Sequence, residues 1–228
     1  MQIDPESDVI EVEGKRVLYD PDAEKIYILL NKLPGYLSAA SDSYRVPTIM
    51  DLLPHTGKRL YPVGRLDKDT EGLLIVTNDG DLTYRLTHPK HHVDKVYLAW
   101  VEGMPDEESL DKFRQGIMLE YGMTAPAIVE IENFYGNKTN SIYTHKKDFD
   151  RQGSDRFQTC HYNSSTCLRI TIHEGKKRQI KRMCEAIGHK VIKLRRIQLG
   201  PITLGDLRPG EYRYLTSEEV KSLKSLGG

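Results

Sequence analysis

The stretch Tyr61-Pro62-Val63-Gly64-Arg65-Leu66-Asp67-Lys68-Asp69-Thr70-Glu71-Gly72-Leu73-Leu74-Ile75-Val76-Thr77-Asn78-Asp79-Gly80 changes character at Gly72. Five of the seven residues from Arg65 to Glu71 are charged, whereas Leu73 to Val76 run without a polar side chain. A short apolar run bounded by turn residues reads as a fully buried strand. Asn78-Asp79-Gly80 stops it, and residues 81–87 read as a short helix that Pro89 ends.

Outward from this point the same alternation continues. Ile26 to Leu30 is a buried strand stopped by Pro34-Gly35, and Lys95 to Val101 is another. Leu110, Phe113 and Ile117 recur at helical spacing after Pro105, until the Gln115-Gly116 break. Ile180, Met183, Cys184 and Ile187 fall at i, i+3, i+4 and i+7 before Gly188, an amphipathic helix with its C-cap. Thr216 and Glu219 form a capping box for a terminal helix. Val9, Val12 and Val17 around Gly14-Lys15 suggest an N-terminal hairpin. Strands and helices of these lengths predict an α+β core without internal repeats.

The 228 residues carry 33 Lys and Arg against 33 Asp and Glu, and 38% are hydrophobic, which excludes a disordered polyelectrolyte and a fibre. The N-terminus has no signal-peptide pattern, and no run approaches the roughly 20 apolar residues of a membrane span. Three cysteines, an odd number in a chain of this size, suggest the reducing cytoplasm. Cys160-His161 with Cys167 and His173 matches no paired zinc spacing. The zero net charge argues against a nucleic-acid partner only while it is taken as uniform. Residues 1–30 hold eight acidic against three basic residues, a net −5, and residues 168–213 hold twelve basic against four acidic, a net +8. The zero is a cancellation.

The acidic cluster Asp67, Asp69, Glu71 mimics the first half of a calcium loop, but the twelfth position is Asn78 where a bidentate Glu is needed, so no metal is expected. One working carboxylate with two solvated neighbours fits better, and Asp67, after Arg65-Leu66, is placed to be a nucleophile. An acidic loop that merely caps the next element is the plain alternative. Residues 133–166 break the texture: six aromatics interleave with Lys138, Lys146, Lys147, Arg151 and Arg156, and Ile142 is the only aliphatic. Such a segment suits stacking on single-stranded nucleic acid, or is simply an extended hairpin on the surface.

Tyr61 to Leu74 followed by Thr77-Asn78-Asp79-Gly80 resembles the catalytic motif of the RsuA/RluB family of ribosomal RNA pseudouridine synthases. Lys95-Val96-Tyr97 is similar to that family's second motif, and His173-Glu174-Gly175-Lys176-Lys177-Arg178-Gln179-Ile180-Lys181-Arg182-Met183 to its third. Leu29 to Gly35 and Leu199-Gly200-Pro201 through Arg213 match as well, so the resemblance spans about residues 4 to 224 apart from 133–166.

The resemblance implies a long, mostly antiparallel central sheet, a cleft between two subdomains, and isomerisation of uridine to pseudouridine without metal or organic cofactor. It implies Asp67 as nucleophile, Tyr97 packing on the target base with removal of the C5 proton as an option, and Lys181 as the basic partner of Asp67. Arg65 would hold the RNA open around the extruded uridine, and Leu194 would line the pocket. At about 100° per residue Lys181 flanks the apolar helix face and Arg182 points nearly opposite. Lys177, Arg178, Arg182, Arg195 and Arg196, with Lys176 and Lys193, form the expected backbone-holding surface, which positions RNA without reading it.

Gly122-Met123-Thr124-Ala125-Pro126-Ala127 resembles the RluB-like branch, which favours large-subunit ribosomal RNA as partner over small-subunit rRNA or tRNA. No membrane or DNA partner is expected, and the chain is expected to be a monomer. An RNA-binding module that has lost catalysis is the competing class, against which the intact Asp67, Tyr97 and Lys181 set argues. Residues 1–22 are expected to be a linker remnant with the hairpin, after the place where many members carry an S4-type domain. Residues 23–228 are then the catalytic domain, with 133–166 as a long insertion. If that insertion helps hold RNA, its deletion weakens RNA binding and flattens the salt dependence. Unchanged affinity in a salt titration removes that role.

Overall fold

A computed structural model describes residues 10–17, 24–42, 46–132, 141–144, 158–161 and 165–226. Its centre is a nine-stranded sheet. In chain order the elements are β1 (Tyr27–Lys32), β2 (Tyr61–Pro62), β3 (Glu71–Thr77), α1 (Gly80–Thr87), β4 (Lys95–Glu102), α2 (Glu107–Gln115), β5 (Ile128–Ile131), β6 (Ser165–Ile172), α3 (Gln179–Ala186), β7 (Val191–Leu199), β8 (Ile202–Thr203), β9 (Tyr212–Tyr214) and α4 (Ser217–Lys224). The strand order is β9-β1-β3-β7-β4-β6-β5, with β2 on β3 and β8 on β7. Among the described strands only the β3–β7 ladder is parallel, so the sheet is mostly antiparallel as expected.

Alternation along the strands sorts the apolar residues into two clusters. Ile28, Leu30, Leu74, Val76, Ala99, Val101, Leu168 and Ile170 join Leu110 and Phe113 of α2 and Ile180, Met183 and Cys184 of α3. On the other face Leu29, Leu73 and Ile75 join Leu82 and Leu86 of α1 and Leu223 of α4. Because β3 lies between both layers, all seven of its residues are buried. That accounts for the unbroken apolar run of its sequence. Each such side chain contributes about 1.5–3 kcal/mol on burial.

The helix boundaries follow from caps. The Asp79 side chain accepts from the Leu82 N–H and starts α1, and α4 opens on the Thr216–Glu219 capping box. The N-terminal hairpin pairs Ile10–Val12 with Lys15–Val17. Its turn sits on Glu13-Gly14, one residue earlier than the sequence suggested, because both take positive φ (52° and 72°). The rest of the expected 1–22 segment, Val9 included, lies outside the described residues, as does most of 133–166. Within the latter, Ser141–Thr144 and Gln158–His161 pair as an antiparallel hairpin. Among the described residues no helix is long and apolar enough to cross a membrane.

The charged segment before β3 is brought against β7 by Gly72. Its φ is +105°, and a Cβ there would lie 2.2 Å from the Arg196 carbonyl oxygen and 2.8 Å from the Arg196 nitrogen. Only glycine permits this approach of two parallel strands. Gly72→Ala is expected to lower stability by on the order of 3 kcal/mol or more, read as a shifted denaturant midpoint.

Candidate active site

The loop that precedes β3 is fixed from below. Lys32, the last residue of β1, is fully buried, and its ammonium donates to the carbonyls of Thr70 (2.8 Å), Leu33 (3.0 Å), Asp67 (3.2 Å) and Lys68 (3.2 Å). Ser38 brackets Leu66, its hydroxyl donating to the Leu66 carbonyl (2.9 Å) and accepting from the Leu66 N–H (3.1 Å). The Gly35 N–H donates to the Lys68 carbonyl (2.7 Å), and the Thr70 N–H closes a turn on the Asp67 carbonyl (3.0 Å). The backbone of Asp67 is thus held on both sides while its side chain stays one-third exposed.

Asp67 opens into a cleft of about 830 Å³, within the roughly 300–1,000 Å³ range of small-molecule sites. Tyr97 and Leu194 form its floor together with Lys95, Ile172 and Arg196, while Arg65, Lys177 and Arg178 line its rim. Tyr97 and Leu194 are 8% and 5% exposed. They are neighbours because β4 and β7 pair antiparallel, with Tyr97 opposite Arg196 and Leu194 two residues back on the same face. The Tyr97 ring and the Leu194 side chain, with the Asp67 carboxylate at the edge of the floor, suit a flat ring held beside a nucleophile.

Lys181 leans from α3 toward the loop as its helical position predicts, with its side chain 11% exposed. Its Nζ is 3.9 Å from Asp67 Oδ2, but its hydrogen bond, at 2.5 Å, goes to Asp69 Oδ1. Arg178, at 3.6 Å, also faces Asp69. Burial pushes the Asp69 carboxyl upward, but the bond and charge of Lys181, with the charge of Arg178, outweigh it and hold the carboxyl below its usual range. Asp69 therefore occupies the cation, and Asp67 keeps it at ion-pair distance without a hydrogen bond.

The expected backbone-holding surface is divided. Lys177 and Arg178 face the cleft, but Arg182 lies over the Tyr121 ring (5.3 Å) and 3.4 Å from Glu120, outside the cleft lining. Arg195 and Arg196 part because neighbours in a strand point to opposite faces. Arg195 is held by Glu71 at 2.5 Å, beside Lys193 at 3.1 Å, and Arg196 turns into the cleft floor, 3% exposed. Among the described residues no group of three or more His, Cys, Asp or Glu side chains is placed to hold a metal ion. Cys167 and Cys184 are buried free thiols that burial pushes up to about 12.

A family profile described as RNA pseudouridylate synthase matches residues 26–186, which contain the Asp67 loop, Tyr97 and Lys181. The chain belongs to the RNA pseudouridylate synthases. The synthase is 41% identical over 220 residues to ribosomal large subunit pseudouridine synthase B of Bacillus subtilis, covering 96% of this chain and 79% of that one. It is 40% identical over 186 residues to ribosomal large subunit pseudouridine synthase E of Vibrio parahaemolyticus, covering 82% and 72%. A crystal structure of a pseudouridylate synthase superposes with a TM-score of 0.69 at 33% identity, over 98% of this chain and 83% of that one.

Three residues of the candidate site carry no sequence signal for their place in it: Lys32, Lys95 and Arg196 as a floor residue. Lys32 ends an apolar strand, and nothing local signals that its ammonium is buried. Burial pulls Lys32 down to about 8, with Asp69 and Asp67 opposing that drop. A lysine lowered on folding binds its proton more weakly in the native state than in the unfolded chain. Its contribution therefore makes stability rise as pH goes from about 8 toward 10.5. Lys32→Met is expected to remove that part of the slope in pH-dependent denaturant melts. At pH 7 it is expected to lower turnover at least about tenfold, with about 2 kcal/mol lost in stability, because the Thr70 and Leu33 carbonyls lose the Lys32 donor and those of Asp67 and Lys68 keep only their backbone partners.

Proposed function

We propose that the synthase isomerises a uridine of large-subunit ribosomal RNA, with Asp67 as nucleophile and Tyr97 and Leu194 receiving the flipped base. The observation that carries this reading is the position of Asp67, braced by its loop, at the edge of a cleft floored by Tyr97 and Leu194. The choice of RNA is supported by two relatives whose names specify the ribosomal large subunit.

The target base lies in a stack, so it must be extruded, which costs a few kcal/mol. Arg65, Lys177 and Arg178 at the rim are placed to hold the backbone around the gap with phosphate contacts. Once the base is in the cleft, the glycosidic bond breaks, the uracil turns and C5 joins the same sugar. A closed floor of Tyr97, Leu194 and Ile172 retains the detached ring, so the second bond forms by proximity. Asp67 has three chemical routes: attack on the sugar carbon, addition to the uracil ring, or removal of a sugar proton. Lys181 places positive charge 3.9 Å from the carboxylate in each of them.

The test is tritium release from RNA labelled at uracil C5, followed by mapping of the modified nucleotide. Wild type is expected to release tritium, and Asp67→Asn to reduce release by at least about 10³-fold with RNA affinity retained. No release by wild type from any ribosomal RNA would favour the binding-module class. Modification mapped to small-subunit rRNA or tRNA would overturn the substrate alone.

A further inference from the structure

Among the described residues, two cations on the cleft floor have no acidic partner in contact. Across the sheet, Ile170, Tyr97 and Arg196 form one row and Ile172, Lys95 and Leu199 the next, so Lys95 and Arg196 are diagonal neighbours. Lys95 Nζ donates to the backbone carbonyls of Val93 (2.8 Å) and His173 (3.3 Å). Arg196 Nε donates to the Leu73 carbonyl at 2.8 Å, which fixes the guanidinium plane, while its Nη2 is buried with no acceptor among the described residues. The contrast lies one residue away, where Arg195 and Lys193 share Glu71. A buried guanidinium ordinarily has a carboxylate or several carbonyls around it. Burial and the charge of Arg196 together pull Lys95 down to about 8. This pair of cations leaves the floor ready to receive negative charge.

Depth decides what supplies it. Phosphates of an extruded nucleotide stay at the mouth, where Arg65, Lys177 and Arg178 are exposed. Arg196 is 3% exposed and directly opposite Tyr97, at the level of the base. Uracil is neutral on arrival, but every route through this cleft makes it negative. When the C1′–N1 bond breaks, its electron pair leaves with the ring and spreads over N1, O2 and O4. When C5 bonds to the sugar the pair returns to the new carbon–carbon bond, the C5 proton leaves and N1 takes up a proton.

We propose that Arg196, with the charge of Lys95 beside it, is a further catalytic residue: its unspent amino edge hydrogen-bonds a uracil carbonyl oxygen and stabilises the charge that collects there. The assignment rests on the cleft being the uridine site. It makes the floor a donor set aimed at charge that develops during reaction, a role in which removing one donor typically lowers turnover 10²–10³-fold.

The experiment pairs protein and substrate changes. Single-turnover rates are measured on RNA carrying uridine, 2-thiouridine or 4-thiouridine at the target, with wild type, Arg196→Lys and Lys95→Met, alongside RNA affinity across salt. Arg196→Lys is expected to slow uridine turnover about 10²-fold with affinity within about threefold. One thio substitution is expected to slow wild type at least about tenfold and Arg196→Lys less than about twofold, because the interaction is already lost. Equal thio effects in both enzymes would overturn the assignment. So would a defect confined to affinity with the salt slope reduced by about one, the signature of a phosphate contact. Should Arg196→Lys fail to fold, Lys95→Met carries the test: a wild-type rate with wild-type thio effects would also overturn it. Wild type inactive on natural RNA would instead sink the uridine-site reading.

Discussion

The Lys32 ammonium sits beneath the Asp67 loop with four carbonyl oxygens around it, and the candidate site depends on that contact. The loop from Leu66 to Thr70 has no regular structure of its own, so its backbone acceptors must find donors elsewhere. One buried cation satisfies three of them and a fourth from its own neighbour Leu33. Ser38 and Gly35 complete the fastening. A flexible surface loop would leave the Asp67 carboxylate free to wander. Here its backbone is built into the end of β1, while the side chain alone faces the cleft.

Strand geometry does the remaining positioning. The one parallel contact of the sheet, β3 against β7, brings the loop next to the strand that carries Leu194 and Arg196. That approach requires Gly72, where a Cβ would collide with the Arg196 backbone. The antiparallel contact of β7 with β4 then sets Tyr97 opposite Arg196. Alternation sends Arg195 to the far face, where Glu71 holds it, so adjacent arginines serve opposite layers. Two pairings and one glycine assemble carboxylate, aromatic ring and guanidinium from residues about 30 and 130 positions apart.

Charge follows the same logic. The whole-chain value of zero hides a basic segment from 168 to 213, but the structure does not spread those cations evenly over one face. Lys181 and Arg178 meet Asp69, Arg195 and Lys193 meet Glu71, Arg182 meets Glu120, and Lys177 remains exposed at the cleft mouth beside Arg65 of the segment before β3. An exposed rim and a buried floor are different electrostatic environments, and their residues are interleaved in sequence.

Periodicity and motif order by themselves determined the α+β class, the buried strand at Leu73–Val76, the helix around Ile180–Cys184, the capped terminal helix and the pseudouridine synthase family. These are legible because 2.0- and 3.6-residue periods and capping residues act locally. The cleft that joins Asp67, Tyr97 and Leu194, the preference of Lys181 for Asp69 over Asp67, the burial of Lys32 and the turning of Arg196 into the floor were decided only by tertiary structure. Each depends on which strands pair and in what register, and on the burial that follows. A long charged side chain looks the same in a sequence whether its end meets water, a carboxylate or a ring of carbonyls.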